Sequence, residues 1–242
     1  MKLAAVALVA AAVLAPAGPA AAGGYTITGV VKWKGAVPER PPLDRMSDPV
    51  CAANPRASED VVVEKGRVRD VLVRIKVGTA GTHAAPAAPA VIIQDQCMYG
   101  PRVVGVVEGQ PLEVRNGDPT FHNVRGNRDG KVVWNLAQPA TAAAITRTDL
   151  GKPGDIVDLH CDVHPWMAGW VAVHDHPFFA VTGANGAFVI PNVPAGTYTL
   201  EAWHPVLGLT SKTIKVKRGK APVFSFTLAT PKPAATKPAP KR

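Results

Sequence analysis

Short runs of β-branched and aromatic residues, separated by turn residues, constrain this chain more than any other feature of its sequence. From residue 90 onward the runs AVIIQ, RVVGVV, PLEVRN, KVVWN and DIVDLHC follow one another with Gly, Pro, Asn or Asp between them. The 22 glycines and 24 prolines among 242 residues favour many turns over long helices. Strands of this length and spacing predict an all-β protein that contains a Greek-key sandwich.

The chain divides into five segments. Residues 1–22 combine a basic Lys2, an apolar stretch and small residues, which is the layout of a secretory signal peptide and predicts a periplasmic or secreted protein. Residues 23–89 contain β strands and end in a linker rich in Ala and Pro, and residues 90–176 form the Greek-key unit. Residues 177–229 form a further small β unit, and residues 230–242 are a basic tail of Pro and Lys that we expect to be disordered.

Charge and hydropathy exclude two classes of partner. The formal net charge is +9, but part of it lies in the leader and the tail, namely Lys2, Lys232, Lys237, Lys241 and Arg242. The remaining basic surface suits an acidic partner, and no helix-turn-helix or RNA-binding motif accompanies it, so we expect no nucleic acid binding. The apolar stretch from Leu3 to Leu14 is too short to span a bilayer, and no later segment approaches the roughly 18 uncharged apolar residues of a transmembrane helix, so we expect no membrane span.

The three cysteines are an odd number for an exported protein, so one thiol is expected to have another task. Cys161 lies among candidate metal ligands, which leaves Cys51 and Cys97 as a candidate disulfide. A disulfide closing so long a loop would stabilise the fold by about 4 kcal/mol.

The segment LHCDVHPWMAG places Cys161, His164 and Met167 at intervals of three residues. A thiolate, two imidazoles and a weak thioether contact form the ligand set of a mononuclear type 1 copper site. The segment NGDPTFHNV supplies the second imidazole, His122, about 40 residues upstream. Zinc would accept two His and one Cys but rarely a thioether, so copper is the predicted metal.

Two segments, VVEGQPLEVRNGDPTFHNV and LHCDVHPWMAG, resemble the ligand segments of the amicyanin and pseudoazurin type of cupredoxin, over roughly residues 90–176. The resemblance implies equatorial ligands His122, Cys161 and His164, with Met167 as the axial ligand. It also implies that Asn123 ties the strand of His122 to the loop of Cys161.

The same resemblance implies that the remote ring edge of His164 reaches the surface and serves as the electron port. The residues expected around that edge are Pro119, Phe121, Pro165, Trp166 and Ala168.

A second resemblance covers TGANGAFVIPNVPAGTYTLEAWHP, which is similar to the carboxypeptidase-regulatory type of β-sandwich, a non-catalytic domain. The strands near Val30 and Val71 either complete this sandwich or extend the cupredoxin sheet. His174, His176 and His204 are candidates for a second metal site, although a strand-end turn explains the first two equally well.

These features predict an electron carrier, not an enzyme, whose partner is a redox protein such as a c-type cytochrome. Two alternatives remain at the level of sequence. The first is a copper carrier or buffer in the periplasm, and the second is an envelope binding scaffold that copper stabilises. An oxidase or reductase would need a further copper centre with an open coordination position.

Overall fold

The computed structural model describes residues 24–217 and 223–229, and these residues are almost entirely β. The predicted signal peptide (1–22) and the predicted tail (230–242) lie outside the described residues. Within the described ranges no helix is long and apolar enough to cross a membrane.

Eighteen strands and one short helix form in the described part of the chain. In chain order they are β1 (Tyr25–Trp33), α1 (Pro49–Ala52), β2 (Val63–Glu64), β3 (Arg67–Val68), β4 (Leu72–Ile75), β5 (Ala90–Asp95), β6 (Met98–Gly100), β7 (Val103–Val107), β8 (Leu112–Asn116), β9 (His122–Arg128), β10 (Lys131–Gln138), β11 (Ile145–Arg147), β12 (Ile156–His160), β13 (Ala168–His174), β14 (Phe179–Val181), β15 (Ala187–Val193), β16 (Gly196–His204), β17 (Gly208–Val216) and β18 (Val223–Leu228).

The first sandwich consists of the strands between residues 90 and 174. One sheet has the order β10-β9-β12-β13-β7 and the other has the order β11-β8-β5-β6. Two pairs, β5 with β8 and β13 with β7, are parallel, so the chain crosses between sheets as a Greek key requires. Alternate residues face inward: Val157 and Leu159 on β12 are fully buried between the sheets, whereas Asp158 is not.

The second sandwich combines strands from both ends of the chain. One sheet has the order β15-β1-β3-β2, with β18 on β1, and the other has the order β14-β4-β16-β17. Apolar residues from both sheets, including Ile27, Ile190, Leu200 and Phe226, are buried between them. The N-terminal strands therefore complete the second sandwich and do not extend the first. The predicted all-β fold with two sandwiches is confirmed.

The two sandwiches meet at a small apolar junction. Leu72 on β4 packs with Val103 on β7 and Ala172 on β13, and all three are buried. Each sandwich therefore has its own core, with a narrow shared layer between them.

Residues 42–58, which we call the covering segment, leave the second sandwich and lie over one end of the first. The base of the covering segment is closed by a bridge between Pro42 and Ala57. Inside it, α1 carries Cys51, which forms the predicted disulfide with Cys97. Arg45 is buried and donates hydrogen bonds to the backbone oxygens of Asn54 and Gln96. The covering segment is thus attached to the first sandwich by a disulfide and by hydrogen bonds.

Candidate metal centre

Strand pairing brings the predicted ligands to one end of the first sandwich. His122 is the first residue of β9, and Cys161 follows the last residue of β12. Because β9 and β12 are antiparallel neighbours, the start of β9 and the end of β12 lie at the same end of the sheet. His164 and Met167 lie in the short loop that joins β12 to β13.

Three donor atoms converge at this end of the sheet. The Nδ1 atoms of His122 and His164 are 2.9 Å apart. The Sγ atom of Cys161 lies 3.9 Å from Nδ1 of His122 and 3.7 Å from Nδ1 of His164. Both histidines are fully buried and the cysteine is 2% exposed. Cys161 is the one cysteine of the chain outside a disulfide.

The triangle formed by these atoms fits a metal ion. A circle through three atoms separated by 2.9, 3.7 and 3.9 Å has a radius of about 2.1 Å. Metal–nitrogen bonds in proteins measure about 2.0–2.1 Å and metal–thiolate bonds about 2.3 Å for zinc, so a small adjustment of the sulfur accommodates a trigonal metal.

Met167 follows His164 by three residues, which is the position in the chain at which the resemblance implies the axial ligand. Its side chain is fully buried within the core of the first sandwich. Its backbone N–H donates to the backbone oxygen of His164 at 2.9 Å, which closes the ligand loop into a turn. A soft, buried thioether in the same core cluster as the thiolate, together with the two imidazoles, is a donor set that favours copper over zinc.

Asn123 links the two chain segments that supply the candidate ligands, which is the role that the resemblance implies. Its Oδ1 accepts hydrogen bonds from the backbone N–H of Asp162 at 2.6 Å and from the thiol of Cys161 at 3.4 Å. Its Nδ2 donates to the carboxylate of Asp162 at 3.0 Å and to Asn135 at 2.7 Å. These bonds fix the strand of His122 against the loop of Cys161.

Each histidine ring contacts a carboxylate through Nε2, the nitrogen that points away from the three donor atoms. Nε2 of His122 lies 2.9 Å from Oδ2 of Asp118, and Nε2 of His164 lies 3.1 Å from Oδ2 of Asp48. Such contacts leave Nδ1 free as the metal-binding atom and set the ring orientation. Burial lowers the pKa of His122, although Asp118 opposes this, so the ring is neutral near pH 7 and available to a metal.

His164 does not reach the surface, which corrects the predicted exposed ring edge. Its side chain is fully buried because the covering segment lies over it. Besides Asp48, the sulfur of Cys51 contacts Nε2 of His164 at 3.6 Å. Among the residues expected around that ring edge, Trp166 packs against His164, and the centroids of the two rings are 5.1 Å apart. Trp166 is half-buried and donates from Nε1 to the backbone oxygen of Cys97.

The three other buried histidines do not converge. His174, His176 and His204 lie near the junction of the sandwiches, and no group of three close metal-binding atoms in the described residues includes any of them. The Nε2 atoms of these histidines have no hydrogen-bond partner among the described residues. Burial lowers the pKa of His174 to about 3 and that of His204 to about 4.

Asp48 and Asp118 were not predicted from the sequence as parts of the site. Asp118 lies four residues before His122 in the same turn, so a local signal for it exists. Asp48 is 116 residues away from His164, and the only signal toward it is the predicted disulfide, since Cys51 follows it closely in the chain.

Comparisons with known proteins give a family match in the C-terminal part of the chain. A family model described as polysaccharide lyase family 4, domain II, matches residues 160–223. The matching family is therefore not the carboxypeptidase-regulatory type predicted for this region, and the match begins inside the first sandwich. A search of curated proteins found no relative of this chain.

Several solved copper proteins are similar to part of the chain. A purple cupredoxin from Nitrosopumilus maritimus is 24% identical over 35% of this chain and 98% of its own, with a TM-score of 0.29. The Cu-containing nitrite reductase (NirK) from Thermus scotoductus SA-01 is 17% identical over 61% of this chain and 28% of its own, with a TM-score of 0.32. A mutant of amicyanin in the Cu(I) state is 20% identical over 42% of this chain and 99% of its own, with a TM-score of 0.29.

Proposed function

We propose that this protein is an exported type 1 copper protein that passes single electrons between redox partners. The observation that supports the proposal most is the convergence of one thiolate sulfur and two imidazole nitrogens in a closed, buried site. Copper, when bound, would supply a one-electron couple between Cu(II) and Cu(I). His122, Cys161, His164 and Met167 would hold it.

The chain's own residues prepare this site before a metal enters. Asn123 holds the thiol loop, and Asp118 and Asp48 hold the two rings, so each ligand has a partner that fixes its direction. A site held in this way changes little when the metal gains or loses an electron. Small rearrangement is what fast single-electron transfer requires.

Trp166 is the aromatic residue that connects the buried His164 to the outside. It packs on the His164 ring and lines a shallow cavity of about 200 Å³ with Leu43, Met98, Pro165 and Ala168. We infer that electrons enter and leave on this side. The basic surface suits an acidic redox partner such as a c-type cytochrome.

The closed site favours an electron carrier over the alternatives. A copper carrier or buffer must exchange its metal readily, whereas the four candidate ligands are at most 2% exposed and lie beneath a disulfide-linked segment. An oxidase or reductase needs an open coordination position, and all four ligands here are protein side chains. A scaffold function for the second sandwich is compatible with electron transfer by the first.

The visible spectrum of the copper-loaded protein tests the copper assignment. We expect an intense blue or green band from charge transfer between Cys161 and Cu(II), and we expect Cys161→Ser to abolish it. Faint absorption from a wild-type protein with one bound copper would contradict the proposal.

Electron exchange with a small soluble c-type cytochrome tests the function itself. Trp166→Leu should slow the exchange while the spectrum stays unchanged. Trp170→Leu is the matched control, because Trp170 stacks with Arg102 and belongs to the junction cluster. Equal rates for the two variants, beside intact spectra, would mean that electrons do not leave through Trp166. A wild-type protein that exchanges no electrons at all would exclude the carrier function.

A further inference from the structure

The remote side of His164 differs from the expectation for a cupredoxin, because a protein carboxylate covers the ring nitrogen that was predicted to face solvent. We propose that Asp48 is a positioning residue for the copper ligand His164, and that the Cys51–Cys97 disulfide holds Asp48 in that role. This inference rests on the proposed copper site and assigns a role in that site to the covering segment.

The first step is the position of the Asp48 carboxylate. Oδ2 of Asp48 accepts from Nε2 of His164 at 3.1 Å and from the hydroxyl of Thr120 at 2.6 Å. Oδ1 accepts from the backbone N–H groups of Val50 at 2.8 Å and Cys51 at 3.4 Å, which makes Asp48 the N-cap of α1. Four donors therefore fix the carboxylate, and only one of them belongs to a metal ligand.

The second step is the attachment of α1. Cys51 is bonded to Cys97, which lies in the turn between β5 and β6, at the same end of the first sandwich as the ligands. The disulfide sulfur of Cys51 is 3.6 Å from the same ring nitrogen of His164. A loop that carries Asp48 is thus fastened to the ligand end by a covalent bond directly beside the ring.

The third step is a built-in comparison with the other ring. His122 meets Asp118 through the same kind of contact, at 2.9 Å, but Asp118 belongs to the same turn and is also held by the N–H of Cys97. The outer contact of His122 therefore does not involve Asp48. The outer contact of His164 depends on a segment far away in the sequence, so Asp48→Ala should act on His164 and not on His122, whereas removal of the disulfide should act on both.

A carboxylate at the remote nitrogen makes an imidazole a stronger donor to a metal and sets the ring direction. Added negative charge favours Cu(II) over Cu(I), so Asp48 should lower the reduction potential of the site. It also occupies the place of solvent at the outer edge of His164. Electrons would accordingly be directed through Trp166 and not through the His164 edge.

The test compares Asp48→Asn with Asp44→Asn in the full-length protein. Asn is an equally good N-cap, so its single oxygen can keep α1 capped, while its amide nitrogen takes the place of the oxygen that accepts from His164. The first variant therefore removes the charge and the contact to His164 together. Asp44 lies in the covering segment, is exposed and bonds only to the backbone of Met46, so it is the matched control. We expect Asp48→Asn to lower the affinity for Cu(II) relative to that for Cu(I) by about tenfold. This change raises the reduction potential of the copper by about 59 mV for one electron. Asp44→Asn should leave the potential unchanged.

A second readout needs no copper. In metal-free protein, the Nε2 proton of His164 should exchange slowly with solvent in NMR spectra, because the ring is fully buried and the proton is donated to the Asp48 carboxylate. Exchange should accelerate at least tenfold in Asp48→Ala and in Cys51→Ser/Cys97→Ser, whereas the Nε2 proton of His122 should keep its rate in Asp48→Ala.

The two readouts separate the inference from the proposed function. An unchanged His164 proton in Asp48→Ala, or a potential in Asp48→Asn equal to that of Asp44→Asn, would overturn the role of Asp48. A slow His164 proton in the wild type that becomes fast in Asp48→Ala, together with failure to bind copper, would instead leave the contact standing and refute the copper site.

Discussion

Five histidines of this protein are buried, and they form two groups whose surroundings differ. His122 and His164 lie at the end of the first sandwich, where their Nδ1 atoms meet each other and a thiol while their Nε2 atoms meet carboxylates. His174, His176 and His204 lie near the junction, and each leaves its Nε2 without a hydrogen bond in the described residues. Burial alone therefore does not make a metal site.

The difference follows from where each group lies in the fold. At the end of a sheet, loops and the covering segment bring polar groups from several parts of the chain together. At the junction, His174 stacks on Phe179 with ring centroids 4.2 Å apart, and His176 packs beside Phe178. The junction histidines serve as neutral aromatic packing, which is consistent with the low pKa values of His174 and His204.

The largest expected effect separates the two groups by metal affinity. His122→Ala removes one of the proposed copper ligands and should weaken Cu(II) binding by more than about a hundredfold, since even outer partners of ligands are worth about 10–100-fold. His176→Phe should leave the affinity unchanged. Competition with a chelator of known affinity measures both, and equal losses in the two variants would erase the distinction between the groups.

Reduction of the disulfide should act on the first group only. Cys51 and Cys97 are separated by 46 residues, and opening this loop should cost about 4 kcal/mol in the free energy of unfolding. Denaturant titration of Cys51→Ser/Cys97→Ser against the wild type measures the loss. NMR spectra should show changes at His122 and His164 but none at His174, and a changed His174 would show that the two groups are coupled.

Lowering the pH should destabilise the metal-free protein through the junction histidines His174 and His204. An unfolded histidine binds a proton near pH 6.5, whereas burial lowers the pKa of His174 to about 3 and that of His204 to about 4. The unfolded state therefore takes up more protons as the pH falls below 6.5, and stability is lost. Each residue should lower the free energy of unfolding by about 2 kcal/mol between pH 7 and pH 5.

The variant His174→Gln tests this pH dependence, because it should lose correspondingly less stability over the same interval. Gln keeps a donor for the backbone oxygen of Val106, to which His174 is bonded. His160→Gln is the control, since His160 is only partly buried. An identical slope in wild type and His174→Gln would show that folding does not lower the pKa of His174.

The smallest effect concerns a supporting bond of the first group. Thr120→Val removes the hydroxyl that donates to Asp48 while preserving the shape of the side chain, and it should cost about 1 kcal/mol. Thr146→Val on the exposed face of β11 is the control and should be nearly neutral. A loss in the control as large as in Thr120→Val would remove the evidence that the hydroxyl supports the site.

The part of the site that is predictable from sequence is the part that is local. Cys161, His164 and Met167 share one loop, and His122 follows a turn whose residues mark the start of a strand. Turn residues and strand alternation also predict the strands of the first sandwich. In these cases the physical signal lies within a few residues of the feature that it predicts.

Other features depend on contacts between distant segments. The pairing of β1 with β15 and β18 joins the two ends of the chain, and alternation in β1 alone does not name its partners. The burial of His164 likewise depends on the covering segment, in which Asp48 contacts the ring and Cys51 is bonded to Cys97. The expected exposed edge of His164 was wrong for this reason.

We expect copper to bind His122 and His164 through Nδ1 and to leave the junction histidines unchanged. The most direct measurement is NMR of protein with ¹⁵N-labelled histidine, without metal and with one equivalent of diamagnetic Cu(I). We predict large shifts of the Nδ1 signals of His122 and His164, protonated Nε2 signals for both rings, and unchanged signals for His174, His176 and His204. Shifts at the junction histidines, or none at His122 and His164, would contradict copper binding through Nδ1 of His122 and His164.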